Sequence, residues 1–357
     1  MSMLRNETSS RSASKRTQTI DGRLLTGSHP KNCLKQITAN IQSYFEILTM
    51  KFLRIFLPAY LGILKKLSKG KGHGKNRIVR KLQNSIEDSF RASEVIVHGH
   101  KMHLPKKGFH EYSVYGIYGE LDTIAVEKLV RKGGVVIDVG AAIGYYTLIF
   151  ARAVGNRGTV IAFEPKEGRF EILKNNIKLN GYDNVIIENK AVMPEGQEKK
   201  FFVDDNNTTG YKFITDRSDV DIHKLGGVFT KSVDVLTTDL DGFLTDSGII
   251  DKVSFMKIDV DGPELLVLQS GRQLLKNQNL NILLEWDQGS AKYSGCNPES
   301  IIDILLDNGF EIYYPNYIKK KYFHITKKQL LNIDPLDDVI NILCVKDKAI
   351  LVNNELL

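Results

Sequence analysis

The sequence predicts an α/β fold: a mostly parallel sheet with helices on both faces. Three observations point there. From Gly133 onward, short apolar runs alternate with stretches of helical periodicity, the pattern of repeated strand–helix–strand units. The apolar runs are continuous rather than alternating in polarity, as strands covered on both faces require. Of the 357 residues, 42% are hydrophobic and 25% charged, a balance that excludes wholesale disorder and a polytopic membrane protein.

Val135–Val139 reads as the first strand and Tyr145–Val154 as the helix after it, ending before Gly155. Thr159–Phe163 is a second strand that opens into Glu164-Pro165. Gly168–Leu179 places apolar residues at Phe170, Leu173 and Ile177 and stops at Asn180-Gly181, a helix-ending pair. Val185–Ile187, Val253–Ile258 and Asn281–Leu284 read as further buried strands. A helix opens at Asn297-Pro298-Glu299, a cap followed by proline at the first helical position, and ends at Asn308-Gly309. Phe310–Tyr314 and Val339–Val345 supply the last strands. No internal repeat is visible.

Charge divides the chain. Residues 1–110 carry 21 Lys and Arg against 6 Asp and Glu, whereas the rest carries 28 against 36, so a basic arm joins a mildly acidic body. Residues 1–32 are too polar to offset chain entropy and read as a disordered tail; no apolar stretch marks them as a secretory signal. Residues 33–84 read as a basic, amphipathic helical segment and linker, and 85–350 as the α/β domain. The cleanest apolar run of the arm, Phe52–Leu64, has 13 residues, whereas a bilayer span takes about 20. Two readings stay open for it. One is a helix packed on the domain or on a partner; the other is an interfacial anchor whose Lys65, Lys66, Lys69, Lys71 and Lys75 meet an anionic membrane surface. Gly70–Lys75 lacks the spacing of a phosphate loop. Cys33, Cys296 and Cys344 are too few for a disulfide framework or a thiolate zinc site, so the expected setting is cytoplasmic, with membrane association as the anchor reading adds.

In such a sheet the ligand lies beyond the carboxyl ends of the strands. Those ends carry Asp138-Val-Gly140-Ala-Ala-Ile-Gly144, Glu164-Pro165, Asn189-Lys-Ala191, Asp259-Val-Asp261-Gly-Pro-Glu264 and Glu285-Trp286. Singly these are ordinary turn residues; together they make a polar, acidic edge on an apolar sheet. Gly140 and Gly144 flank a tight strand-to-helix turn whose amides face a ligand. A dinucleotide fingerprint needs glycines at 140, 142 and 145, and Ala142 and Tyr145 stand at the last two. A nucleoside without a phosphate cradle fits better, with Glu164 as acceptor for the ribose diol. That combination suggests S-adenosylmethionine, whose sulfonium also suits an acidic edge.

The runs Val136–Thr147, Gly158–Pro165, Leu173–Asn180, Asn189–Val192 and Met256–Glu264 resemble those of FkbM-type S-adenosylmethionine-dependent methyltransferases. The resemblance spans roughly Val95 to Tyr314, including Gly119-Glu120. It implies a class I (Rossmann-like) methyltransferase fold with a seven-stranded, mostly parallel sheet and an antiparallel last strand, and O-methylation of a small molecule or glycan. Cofactor contacts then map onto Asp138, Gly140, Ala141, Gly144, Thr147, Glu164, Asn189 and Ala191. Two departures stand out: the family often has Asn at the position of Ala142, and Glu-Gly-Ala-Glu where this chain has Asp261-Gly-Pro-Glu264.

Methyl transfer to an alcohol needs an aligned acceptor and removal of its proton. No histidine stands at these strand ends, so carboxylates are the candidates: Asp259 or Glu264 as base, with Asp261 supporting. The opposing reading makes Glu264 a brace for the following helix and Asp259 a wall of the cofactor pocket. His98 and His100 are expected to share one strand face while His103 points the other way, and no metal site is expected. Thr208-Thr-Gly210 is a candidate acceptor loop. An RNA-modifying protein is disfavoured because the body is acidic and no recognition motif accompanies the basic arm; a catalytically silent protein that keeps the cofactor fold is the other alternative. The acceptor and the oligomeric state are not encoded in any motif.

Overall fold

The computed structural model describes residues 93–105, 119–194, 200–204, 211–213, 229–333 and 339–357. The basic tail, the amphipathic segment and the candidate loop Thr208–Gly210 lie outside them. Residues 81–357 form one compact unit, which runs past the expected boundary at 350 because Leu351 and Leu356 are buried.

The first described elements are β1 (Glu94–Val97), β2 (His100–His103) and α1 (Glu120–Leu129). The strand–helix alternation follows as β3 (Val135–Val139), α2 (Tyr145–Val154), β4 (Thr159–Phe163), α3 (Glu167–Leu179) and β5 (Val185–Glu188). Next come β6 (Ala191–Val192), β7 (Lys200–Asp204), β8 (Tyr211–Phe213), β9 (Phe229–Asp234), β10 (Thr237–Thr238) and α4 (Leu240–Asp246). The second half holds β11 (Val253–Ile258), α5 (Glu264–Ser270), β12 (Asn281–Trp286), α6 (Gln288–Tyr293) and α7 (Pro298–Asp307). The chain ends with β13 (Glu311–Asn316), β14 (Lys321–His324), α8 (Lys327–Leu331), β15 (Ile340–Val345) and α9 (Ala349–Asn353).

The main sheet has the order β5-β4-β3-β11-β12-β15-β13-β14. Strands β3, β4, β5, β11 and β12 are mutually parallel, and β15 runs antiparallel to both β12 and β13. The seven expected strands, with the last one reversed, are therefore present, and β14 adds an eighth by a hairpin on β13. Its sequence gave no strand signal because an edge strand buries one face only: Tyr322 is 1% exposed and Phe323 45%. β7, β8 and β9 form a separate three-stranded sheet.

Side chains alternate across the central strands into two apolar layers. Val135, Ile137, Val139, Met256, Ile258 and Ile282 face the layer that α4, α5, α6, α7 and α8 cover. Val136, Val160, Ala162, Phe255, Leu283 and Leu343 face the layer under α1, α2, α3 and α9. Asp138 and Lys257 fall on that second face by the same alternation. The chain leaves β3 toward β4 and β5, then returns to lay β11 on the other side of β3, so the strand order reverses between β3 and β11. That switch point fixes where a ligand crevice opens.

The hairpin β1–β2 turns at His98 and Gly99, both with positive φ (48° and 83°), as a tight two-residue hairpin requires. His98 is thus a turn residue and shares no strand with His100, contrary to the sequence expectation. Its Nε2 pairs with Glu127 at 2.9 Å, and His100 Nε2 meets the Tyr182 hydroxyl at 2.7 Å. Among the described residues no group of three His, Cys, Asp or Glu is placed to hold a metal ion, and no helix is long and apolar enough to cross a membrane.

Two asparagines, Asn176 of α3 and Asn180 at its C-terminal cap, tie this hairpin to the body. Asn176 accepts from the His103 amide (2.6 Å) and donates to the Ile143 carbonyl (2.8 Å); Asn180 accepts from the Lys101 amide and donates to its carbonyl. Asn176 is fully buried, so the turn after β3 and the hairpin share one amide side chain. Asn176→Ala strands the His103 N–H and the Ile143 C=O, and urea unfolding should register a loss of about 2 kcal/mol or more. A midpoint equal to wild type would contradict this linkage.

Candidate active site: a cleft at the switch point

β3 delivers the chain into a turn, Gly140–Gly144, held by contacts to neighbouring strand ends. A Cβ on Gly140 (φ 83°) would lie 1.8 Å from the Asp259 carbonyl oxygen, so only glycine passes β11 at this point. The amides of Gly140 and Ala141 both donate to the Phe163 carbonyl at 3.0 Å. Ala142 sits at φ 51°, a left-handed conformation that costs a residue with a Cβ about 1–2 kcal/mol. Its amide is thereby aimed at the Glu164 carboxylate, which it meets at 2.9 Å.

Glu164 is 2% exposed and lines the cleft. Its second carboxylate oxygen accepts the Lys166 amide at 2.8 Å, and Asn189 Nδ2 donates to its main-chain carbonyl at 2.9 Å. Burial pushes its carboxyl up to about 7, against the pull of Arg169 and the two amides.

On the second face of the sheet, the register sets Asp138 directly opposite Lys257. Lys257 Nζ reaches Asp259 Oδ2 at 2.6 Å and stands 4.8 Å from the centroid of the Tyr146 ring. Burial alone would lower the Lys257 pKa; Asp259 and Asp138 outweigh it and raise it, so the side chain is an ammonium. Asp138 Oδ2 accepts from Thr147 Oγ1 at 2.6 Å, while its buried Oδ1 has no hydrogen-bond partner. Burial raises the Asp138 carboxyl, with Lys257 opposing.

The loop after β11 is bent through Asp261 (φ 59°) and Gly262 (φ 133°). A Cβ on Gly262 would meet Ser294 Oγ at 2.2 Å, so the loop is pressed against the segment that follows α6. Glu264 folds back beneath it: Oε1 accepts from the Gly262 amide at 2.9 Å and, at a longer 3.4 Å, from Val260. Burial pushes this carboxyl up to about 7. Glu285, half-buried on β12, is raised well above the ordinary glutamate range by desolvation and by Asp259, Asp261 and Glu264.

Two adjoining clefts open here. The larger encloses about 550 Å³ between Phe163, Val192, Met193 and Val267 on its apolar side and Glu164, Asp259 and Asp261 on its polar side, with Arg169 and Lys190 also in its wall. The smaller, about 320 Å³, is lined by Asp138, Ala141, Ala142, Tyr145, Tyr146 and Lys257. Gly140 and Asp259 belong to both. Of the residues singled out from sequence, Asp138, Gly140, Ala141, Glu164, Ala191, Asp259 and Asp261 line one cleft or both. Gly144, Thr147, Asn189 and Glu264 line neither. Thr147 orients Asp138, Asn189 fixes the strand end that carries Glu164, Gly144 makes the turn, and Glu264 braces the loop. Sequence reasoning passed over Lys257, Tyr145, Tyr146, Arg169 and Lys190; the one available signal was a lysine inside the apolar run Val253–Ile258.

The reversed strand order, the antiparallel β15 inserted between β12 and β13 and the polar edge define the fold of the class I S-adenosylmethionine-dependent methyltransferases. Residues 138–312 match the family model of the methyltransferase FkbM domain, so the chain carries an FkbM methyltransferase domain over those residues. It is 37% identical over 57 residues to protein-L-isoaspartate O-methyltransferase 1 of Archaeoglobus fulgidus, covering 16% of this chain and 26% of that protein. It is 34% identical over 77 residues to the catalytic subunit of a tRNA (adenine(58)-N(1))-methyltransferase of Cryptococcus neoformans, covering 22% and 18%. The chain thus spans about a quarter or less of these curated relatives. An FkbM methyltransferase from Methylobacillus flagellatus superposes with a TM-score of 0.34 at 12% identity, over 66% of this chain and 52% of that one.

S-adenosylmethionine is the cofactor of this class, and the cleft fits it on its own geometry. A buried carboxylate stands at the second strand end, apolar walls suit a purine, and the orphaned Asp138 Oδ1 awaits a donor.

If Glu264 is a brace, its charge is dispensable and its acceptor oxygen is not. Glu264→Gln should melt near wild type and bind the cofactor, whereas Glu264→Ala should lose about 1–3 kcal/mol by thermal melting. Loss of cofactor binding in the Gln protein, read by isothermal titration, would count against the brace.

Proposed function

We propose that this domain methylates a hydroxyl on a small molecule or glycan, using S-adenosylmethionine, with Asp259 as the proton acceptor. The observation that carries this reading is the position of Asp259: it is shared by both clefts, and its side chain is 31% exposed, whereas Glu264 is turned into the loop.

In this reading Glu164 takes the ribose hydroxyls, between amides that hold both its oxygens in place. Gly140, Ala141 and Ala191 form the peptide walls. Asp138 Oδ1 receives the cofactor's α-ammonium, and Thr147 and Asn189 act one step removed, by orienting Asp138 and Glu164. When bound, S-adenosylmethionine supplies a methyl group on a sulfonium sulfur and leaves as the neutral thioether. Asp259 orients the acceptor hydroxyl and takes its proton as the oxygen gains the methyl group; Asp261, from its strained loop position, supports the same wall. The basic arm supports an anionic surface as a further partner, and the cysteine usage a cytoplasmic setting.

Two outcomes follow from named groups. Glu164 is near 7 in the free cleft, and a ribose diol beside a sulfonium favours its ionised form. Binding below pH 7 therefore requires loss of a proton, and affinity should fall by roughly tenfold per pH unit as the pH drops below 7. Isothermal titration from pH 5.5 to 8.5 checks this. Glu164→Gln should flatten the dependence, and Glu164→Ala should weaken binding by about 1.5–3 kcal/mol; a wild-type affinity in the Ala protein would refute the ribose role.

Asp259→Asn should bind the cofactor yet lose about 10²-fold or more in turnover, the usual share of a general base. The assay is mass spectrometry of cell extract incubated with methyl-labelled S-adenosylmethionine, which also identifies the acceptor. Undiminished label transfer by the Asn protein would remove Asp259 from the chemistry.

A further inference from the structure

We propose that Lys257 is a positioning residue for methyl transfer: its ammonium grips one oxygen of Asp259 against the floor made by Tyr146, which leaves the other oxygen to meet the acceptor. The inference rests on the reading of Asp259 as proton acceptor.

The ion pair is built asymmetrically. Lys257 is 2% exposed while the Asp259 side chain is 31% exposed, so one end is sealed inside the sheet and the other opens on both clefts. Three constraints fix the sealed end: the 2.6 Å contact to Asp259 Oδ2, the ring of Tyr146 at 4.8 Å, and Asp138 directly across the strand pair. Burying an ammonium is costly, by several kcal/mol before its partners are counted. An aliphatic side chain beside the Tyr146 ring would fill the same space without that cost, so packing alone gives no reason for the charge.

The surroundings supply the reason. Asp138 from β3, Glu285 from β12, Asp261 from the loop and Glu264 from α5 all interact electrostatically with one another or with Asp259, and Tyr146 closes the side toward α2. Four carboxyl groups thus gather around a fifth, and a cation placed among them offsets their mutual repulsion. Lys257 is that cation, in contact with Asp259. Removing the ammonium would free the Asp259 rotamer and leave the cluster without its contacting positive charge, to which the acid limb of the reaction answers.

The test has an arm with an acceptor and an arm without one. In the first, label transfer from S-adenosylmethionine into cell extract is followed from pH 5.5 to 9 for wild type, Lys257→Met and Lys257→Arg. The Met protein should bind the cofactor but show its acid limb displaced upward by about one pH unit or more, and the Arg protein should keep the wild-type limb. A Met protein with the wild-type profile, at whatever rate, overturns the proposal. Absence of transfer by wild type itself would instead defeat the O-methylation reading.

The second arm needs neither acceptor nor a folded Met variant. In the full-length protein with S-adenosylmethionine, ¹⁵N NMR should show the Lys257 ζ-nitrogen as an ammonium in slow proton exchange through pH 9, and Asp259→Asn should make that exchange fast. A free-amine shift, or an exchange rate indifferent to Asp259, overturns the proposal even if every activity assay is silent.

Discussion

The active edge depends on how closely two peptide segments pass each other at the switch point. After β3 the chain crosses so near the end of β11 that a methyl group on Gly140 would overlap the Asp259 carbonyl. This approach makes Asp259 a neighbour of the glycine turn and so places one carboxylate on the wall of both clefts. Because the sheet order reverses between β3 and β11, this pair of strand ends leaves room for a ligand.

Around that contact the charges are arranged unequally. Carboxylates gather on the sheet edge, and burial raises Asp138, Glu164, Glu264 and Glu285. Such groups are costly to ionise unless something compensates, and for three of the four the compensation is local. Glu164 has two peptide amides and Glu264 has the amides of its own loop. Asp138 has Thr147 and the ammonium of Lys257. A positively charged ligand completes the balance for the edge as a whole, which is a reason for a sulfonium to reside here that does not depend on any single contact.

Much of the fold was legible because the central strands are buried on both faces and so announce themselves as apolar runs. Asn297-Pro298 marked the start of α7 by elementary capping chemistry, and the structure has the Asn297 side chain accepting the Glu299 amide. The edge strand β14 escaped, having one wet face, and His98 was misplaced because a two-residue turn with positive φ is not apparent from histidine. In the site, strand-end acids were legible individually, but their division into cleft-lining and supporting groups was not. Whether Glu264 points into a cleft or under its own loop is decided by the φ of Asp261 and Gly262, which a sequence does not display. Lys257 was hidden differently: its importance comes from the β3–β11 register, a long-range pairing.

The strained backbone positions sharpen the distinction between architecture and chemistry. Two non-glycine residues of the edge, Ala142 and Asp261, adopt positive φ. Each disposes one polar group: the Ala142 amide onto Glu164, and the loop at Asp261 over the brace of Glu264. The family's frequent Asn at the position of Ala142 suits the same left-handed conformation, since Asn tolerates it better than Ala. Ala142 therefore keeps the amide contact at a higher conformational cost while leaving the smaller cleft without a polar side chain at that point. The departure at Ala142 lies on the wall of the cleft that holds Tyr145, Tyr146 and Lys257, whereas the one at Asp261 lies on the wall of the cleft that Glu164 lines. Difference among these proteins is thus expected on both walls that Asp259 joins, while the Glu164 carboxylate stays held by two peptide amides that any residue but proline supplies.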